Sequence, residues 1–305
     1  MELYPLKVFL TVANEKSFSR AAEKLLRTQP AVSLALQRLE HSLGEKLIDR
    51  GGKELLLTDA GRTVLDFARR FENLERELDN ALSELRDNAA GRLVIGANES
   101  TTLYLLHHIE NYRHMYPKVK VQVRRSLSSK VPAQLIDGDL EMGVISYDPE
   151  DARLVAHIIY TDHLCFVVPP GHHLAGRGTV SIAELGQETF IAHNVLSPYR
   201  EVVVREFKRR RVPLIMDVEM PTVESIRRMV QMREGAAFLP HMCVAQEIAQ
   251  GTLCEVRVEE LNVERKIRLV YPAKRALSHA AQAFLEMVAA AAGSPAENTT
   301  AGAQG

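Results

Sequence analysis

Cysteine is scarce in this 305-residue chain, with only Cys165, Cys243 and Cys254 present. An odd number at no metal-ligand spacing excludes a disulfide framework and a cysteine-built zinc scaffold. An excess of charge is missing as well: 38 Lys and Arg stand against 39 Asp and Glu, a net of −1, so any basic stretch is a local feature. No segment approaches the roughly 20 apolar residues that a membrane helix requires. Met1-Glu2-Leu3-Tyr4-Pro5 lacks the basic stretch and apolar core of an export signal. A cytoplasmic location with no membrane partner is the expectation. No GxSxG, no Gly-rich phosphate loop and no zinc spacing occurs in the sequence, so catalytic residues, metal and cofactor are all expected to be none. What remains, 46% hydrophobic and 25% charged, is the composition of an ordinary globular chain long enough for one small and one larger domain.

The densest local information lies in residues 17 to 50. Phe18, Ala21, Ala22 and Leu25 have helical spacing, with small residues that let a second helix approach. The chain turns over Arg27 to Pro30. Thr28 is positioned to cap a second helix through its hydroxyl, and Pro30 falls in that helix's first turn, where a missing N–H costs nothing. Val32, Leu36, Leu39 and Leu43 then form one buried stripe. The opposite face carries Gln29, Pro30, Ser33, Leu34 and Gln37, small and uncharged, suited to the major groove of DNA. Between Lys16 and Arg38 five basic residues, including Arg20 and Arg38, face one acid, Glu23. That is the footprint of phosphate contact and argues against an ordinary helical corner.

These residues carry a resemblance. Ser17-Phe18-Ser19, Ala21-Ala22, Leu25, Thr28-Gln29-Pro30-Ala31-Val32-Ser33, Leu39-Glu40, Leu43-Gly44, Leu47, Arg50 and Leu57-Thr58-Asp59-Ala60-Gly61 resemble the winged helix-turn-helix of LysR-type transcriptional regulators. Two positions depart from the common pattern. Ile48 stands where Phe is usual, and Leu34 where a basic residue often lies; Leu34 can touch a thymine methyl but cannot hydrogen-bond. The DNA-contacting set read here is Ser17, Arg20, Thr28, Gln29, Pro30, Ser33, Leu34, Gln37 and Arg38, with Arg50 and Lys53 on a short wing around Gly51-Gly52. The resemblance implies double-stranded DNA, a second copy of the chain and RNA polymerase as partners, with a homodimer pairing into a tetramer.

Residues 59 to 89 come next as a linker helix, in which Val64, Phe67, Phe71, Leu74, Leu78, Ala81 and Leu85 alternate spacings of three and four. This is a coiled-coil seam, flanked on both sides by charge, and it predicts a dimer contact. Five basic and eight acidic side chains over residues 59 to 90, a net of −3, keep this helix off DNA.

From Gly91 the pattern changes to strands alternating with helices, which predicts parallel α/β units. Strands are expected at 92–97, 119–125, 140–146, 164–169, 190–193, 216–220, 236–240 and 267–271, with helices between and a last one over 278–291. Two α/β subdomains resembling the periplasmic-binding-protein fold are implied by the family resemblance: subdomain I at 90–161 and 263–292, subdomain II at 162–262. Crossovers are expected near Thr161 and Asn262. The sequence thus divides into a winged helix-turn-helix at 1–58, the linker helix at 59–89, an effector-binding domain at 90–292, and a Gly/Ser/Thr/Ala-rich tail at 293–305 expected to be disordered.

In open α/β sheets ligands bind beyond the carboxyl ends of strands, where helix N-termini present free N–H groups. The residues at such positions are Ser100, Thr101, Thr102, Ser128, Ser146, His193, Asn194 and Thr222. Singly each reads as a helix cap; as a set they predict a cleft for a small-molecule effector whose identity the sequence leaves open. Glu99 either points away or meets an amine or hydroxyl of that effector. Some relatives of this type sense oxidants through a cysteine pair, and Cys243 and Cys254 have ten residues between them. Cys165 and Cys254, however, lie in apolar strand-like runs and read as small buried hydrophobes. The pairs His107-His108 and His172-His173 need further ligands to hold a metal, because adjacent side chains diverge. A solute-binding transport component would require export and leaves the first 90 residues without a role.

Overall fold

The computed structural model describes residues 3–49, 55–86, 91–195 and 197–293, without the side chains of residues 83–86 and 293. The chain forms two compact units, the first built chiefly from residues up to 88 and the second from most of the remaining chain.

In the first unit α1 (Leu3–Glu15), α2 (Phe18–Lys24) and α3 (Gln29–Leu43) pack around Phe9, Val12, Ala21, Val32, Leu36 and Leu39. Ser17 caps α2 by accepting the Arg20 N–H. Thr28 occupies the cap of α3 but makes no side-chain cap hydrogen bond, so the expected hydroxyl cap is not formed and Pro30 in the first turn supplies the helix start. Gly44 ends α3 with φ +70, a left-handed conformation that costs glycine little. β1 (Ile48–Asp49) and β2 (Leu56–Leu57) pair antiparallel, the described base of a wing; Arg50, Gly51, Gly52 and Lys53 lie outside the described residues. Glu40, 3% exposed, accepts the Leu47 N–H at 2.9 Å and ties the end of α3 to the start of the wing. Thr58 accepts the Gly61 N–H at 2.9 Å and starts α4 (Asp59–Arg86). Gly61 is required there, since a Cβ would lie 2.0 Å from the Leu47 carbonyl oxygen.

Two lobes make up the second unit. The first has β3 (Gly91–Ala97), α5 (Glu99–Met115), β4 (Val119–Arg125), α6 (Val131–Ile136) and β5 (Met142–Ile145), with β4–β3 and β3–β5 parallel. β6 (Leu154–Val168) then runs 15 residues and leaves this lobe. The second lobe holds β7 (Thr179–Val180), β8 (Thr189–His193), α7 (Pro198–Arg210), β9 (Ile215–Met220), α8 (Val223–Gln231), β10 (Ala237–Pro240), α9 (Ala245–Ala249) and β11 (Cys254–Val258). β12 (Glu264–Pro272) returns, and α10 (His279–Gly293) packs Phe284 and Val288 on the first sheet.

The topology corrects the expectation of parallel units throughout. β8–β9 is parallel, but β6 is antiparallel to β12, β10 and β11. Residues 154–163 of β6 pair with β12 and residues 164–168 with β10 and β11. The partner switch therefore falls between His163 and Leu164, inside one continuous strand. The expected strand began only at Leu164, because the half-polar stretch Leu154 to His163 shows no clear alternation.

Candidate functional site

On α3, Val32, Ala35, Leu36, Leu39 and Glu40 are buried, and Gln29, Pro30, Leu34, Gln37 and Arg38 are exposed, with Ser33 half-buried. At about 100° per residue, Pro30, Leu34, Gln37 and His41 form one line with Ser33 and Arg38 on its two sides. Leu34, 48% exposed, stands at its middle. Arg20 is exposed at the start of α2 and Ser17 half-buried beside it. Lys24, part of the basic run, is held by Glu15 at 2.6 Å, which keeps the Glu15 carboxyl below its usual range.

The second unit contains a cavity of about 730 Å³ between its lobes, within the range of small-molecule sites, roughly 300–1,000 Å³. The first lobe brings the N-terminal turn of α5 and the loops after β4 and β5: Asn98, Ser100, Ser126, Ser128 and Ser146 line it. The second lobe brings the end of β8 and the first turns of α7, with His193, Tyr199 and Arg200, and an apolar wall including Phe190, Val203, Leu214 and Phe238. At the crossing, Arg265 of β12 lines the floor. It is 3% exposed and donates to Asp162 of β6 at 2.5 Å, and Asp162 also accepts the Met242 N–H. The other Nη of Arg265 reaches Ser100 at 3.3 Å, and its guanidinium lies 4.8 Å from the centre of the Tyr199 ring.

Most polar groups of the cavity are engaged with one another. Ser100 donates to Asn98, Asn98 to Ser128, Ser126 to Gln134, Tyr147 to the Ser128 carbonyl and Tyr199 to the Ser146 carbonyl. Burial pushes the Tyr147 phenol up, which keeps it a neutral donor. Glu99 turns away from α5 and accepts the Val223 N–H at the start of α8, at 3.0 Å, while its second oxygen lies 3.7 Å from Nε2 of His193.

Two family models match this chain: the bacterial regulatory helix-turn-helix protein, lysR family, over residues 3–62, and the LysR substrate binding domain over residues 86–293. The chain belongs to the LysR family. A probable RuBisCO transcriptional regulator of Cyanophora paradoxa is 30% identical over 293 residues, 94% of this chain and 90% of that protein. The solved structure of full-length CbnR complexed with its target DNA has a TM-score of 0.72 at 19% identity, over 95% of this chain and 99% of that one. The regulatory domain of Synechocystis PCC6803 CcmR in complex with 2-PG has a TM-score of 0.61 at 20% identity, over 67% of this chain and 98% of that one. The protein is thus a LysR-type transcriptional regulator with a DNA-binding helix-turn-helix and an effector-binding domain, and not an enzyme.

Within this LysR effector domain the expected effector residues separate into two groups. Ser100, Ser128, Ser146 and His193 line the cavity. Thr101, Thr102, Asn194 and Thr222 do not. Thr101 is fully buried and donates to the Val144 carbonyl, Thr102 donates to the Asn98 carbonyl one turn back, and Thr222 caps α8 by accepting the Ser225 N–H. Helical geometry sends adjacent side chains in different directions, so one serine of the Ser100-Thr101-Thr102 run faces the cavity and the threonines close the helix start. Tyr199, Arg200 and Arg265 were not foreseen. Arg265 carried a signal: it shares the period-two parity of Ile267 and Leu269, which face the core.

Among the described residues two groups bring three side chains of metal-ligating type together, Asp162-His163-His241 and His172-His173-Glu188. Asp162 is committed to Arg265 and the Met242 N–H. His172 accepts the Leu174 N–H on Nδ1, and its Nε2 lies 3.2 Å from Glu188. Both read as clusters whose members are already engaged with other groups of the chain. Cys165 and Cys243 are buried, and burial pushes the Cys243 thiol up to about 12 and that of Cys165 well up; these are inert thiols. No helix among the described residues is long and apolar enough to cross a membrane.

Proposed function

We propose that this LysR-type regulator acts in the cytoplasm as a homodimer, pairing further into a tetramer. It reads a two-fold operator with its α3 helices and passes the state of its cavity to RNA polymerase. The observation that carries this reading is the face of α3: an exposed line of small, mostly uncharged side chains over a buried apolar stripe, flanked by Arg20 and Arg38. Gln29, Ser33 and Gln37 are the base-reading groups, Leu34 an apolar one, and Ser17, Thr28 and the two arginines hold phosphates. The similarity to CbnR, a chain solved on its target DNA, supports the same use of the same fold. Phe67, Phe71, Leu74 and Leu78 form an exposed apolar ridge along α4, which supports pairing of two chains there. The effector occupies the cavity between the lobes, and one that binds two lobe orientations with different affinities shifts their populations.

Sequencing the genomic DNA retained by the purified protein defines the operator, and fluorescence anisotropy then compares it with random DNA. A specificity ratio of at least about 1,000 is expected. Equal affinity for the two would defeat the reading.

A further inference from the structure

We infer that the effector of this chain is an apolar monocarboxylate: one carboxylate head on a hydrophobic body of on the order of ten non-hydrogen atoms. The inference rests on the cavity being the effector site and adds the chemistry of what fills it.

The body follows from the walls. Phe190, Val203, Leu214, Met216 and Phe238 of the second lobe, with Leu164 at the crossing, make one side of the cavity hydrocarbon. Phe190 and Phe238 stack with centroids 5.5 Å apart at 11°. The serine side is already satisfied within itself, so a polyhydroxylated or multiply charged ligand has to break the Ser100–Asn98–Ser128 chain and the Tyr199–Ser146 bond before making its own. An apolar body breaks nothing and gains by leaving water.

The head follows from three sources of donors at one end, a guanidinium and two helix N-termini. Arg265 is 3% exposed and its Nε has no hydrogen-bond partner among the described residues. Its guanidinium sits between the first turns of α5 and α7, through Ser100 on one and the Tyr199 ring on the other. In α5, of 17 residues, Asn98 takes the N–H groups of Thr101 and Thr102, which leaves those of Glu99 and Ser100 outside the helix's own bonding. In α7, of 13 residues, Pro198 has no N–H, Ser197 takes those of Arg200 and Glu201, and Tyr199's is left. Two helix N-termini and a buried guanidinium therefore converge. Glu99 is the single carboxylate among the described residues that line the cavity; its Oε1 is drawn off to the start of α8, and its Oε2, 3.7 Å from His193 Nε2, has no hydrogen-bond partner among the described residues. Asp162 already offsets much of the Arg265 charge, and Arg200, which also lines the cavity, is paired with Glu219; with Arg125 at an exposed position of the lining, this end favours a single negative charge.

The test is isothermal titration of the full chain with acetate, butanoate, hexanoate and octanoate below micellar concentrations, with 1-octanol, inorganic phosphate and 2-PG beside them. Affinity is expected to rise about threefold to fourfold per added methylene, with octanoate at least tenfold tighter than 1-octanol. Ser100→Asp puts a negative charge at the α5 N-terminus, a position that favours Asp. It should weaken octanoate at least tenfold more than it weakens 1-octanol, and a melting transition that stays cooperative shows that the variant is folded. Leu214→Gln should flatten the chain-length dependence. Failure of every carboxylate, or tighter binding of phosphate or 2-PG than of octanoate, overturns the class. In that case, loss of phosphate or 2-PG binding in Ser100→Asp keeps the cavity as the site. Binding that survives both variants removes the cavity reading itself.

Discussion

The recognition face of α3 and the wall of the cavity use polar side chains in opposite ways. The side chains of Gln29, Ser33 and Gln37 have no hydrogen-bond partner among the described residues. In the cavity, Asn98, Ser100, Ser126, Tyr199 and Arg265 are bound to neighbouring side chains or to the backbone. On the helix, polar atoms are held open for an outside partner and water is their only competitor. In the cavity, they fix the lobes around a space, and selection passes to the apolar wall and the helix ends. A polar group lost from the first region should change what is bound; one lost from the second should change whether the unit stands.

Asp162→Asn is the strongest way to break that contrast. The Arg265 charge would stay buried without its counter-ion, at a cost of about 3 to 5 kcal/mol, read as a lowered urea midpoint of the effector unit with an unchanged m-value. Replacing both partners by hydrophobic residues of similar volume should recover most of the loss. Gln37→Ala, by comparison, should leave stability within about 0.5 kcal/mol and cost about 1 to 3 kcal/mol at one base position of the operator. If Asp162→Asn is neutral, the pair does not hold the crossing.

Next in size is the α4 ridge, an apolar surface that is exposed like the α3 face yet lacks its donors. Leu74 and Leu78 are 61% and 58% exposed in the single chain. Changing both to Asp places charge where a partner helix would desolvate it. Full-operator affinity should fall on the order of 100-fold, about 2.8 kcal/mol, while light scattering shows a smaller assembly. A double variant that keeps the wild-type mass and affinity would place the dimer contact elsewhere.

The two regions also differ in how far local sequence reveals them. The face of α3 is made by ten consecutive residues, so helical period alone separates Val32, Leu36 and Leu39 from Gln29, Leu34 and Gln37. The cavity is assembled from segments as distant as Asn98 and Arg265, and no period relates them. Strand ends could be located, which placed Ser100, Ser128, Ser146 and His193 at the site. Which hydroxyl of a run turns inward depends on the capping box of α5, and that sent Thr101 and Thr102 elsewhere. The crossing itself was expected near Thr161 and Asn262, but the long antiparallel pairing of β6 with β12 was not, because a strand that changes partners at Leu164 carries two different burial patterns in one run.

The smallest expected effect sharpens the contrast most, since Leu34 brings to the recognition helix the kind of contact that dominates the cavity. It lies at the centre of the exposed line, between Pro30, Gln37 and Arg38, and offers neither donor nor acceptor. In the major groove the apolar feature that distinguishes a base is the C5 methyl of thymine. Replacing operator thymines one at a time by deoxyuridine removes that methyl and nothing else. One position should lose about 0.8 kcal/mol, the worth of one buried methyl-sized group, a factor of about four in affinity by anisotropy. In Leu34→Ala the same deoxyuridine substitution should have little effect, because the partner of the methyl is gone. Equal sensitivity of wild type and Leu34→Ala at every thymine would mean that Leu34 does not touch a base. The polar residues beside it would then read the operator without an apolar contact at their centre.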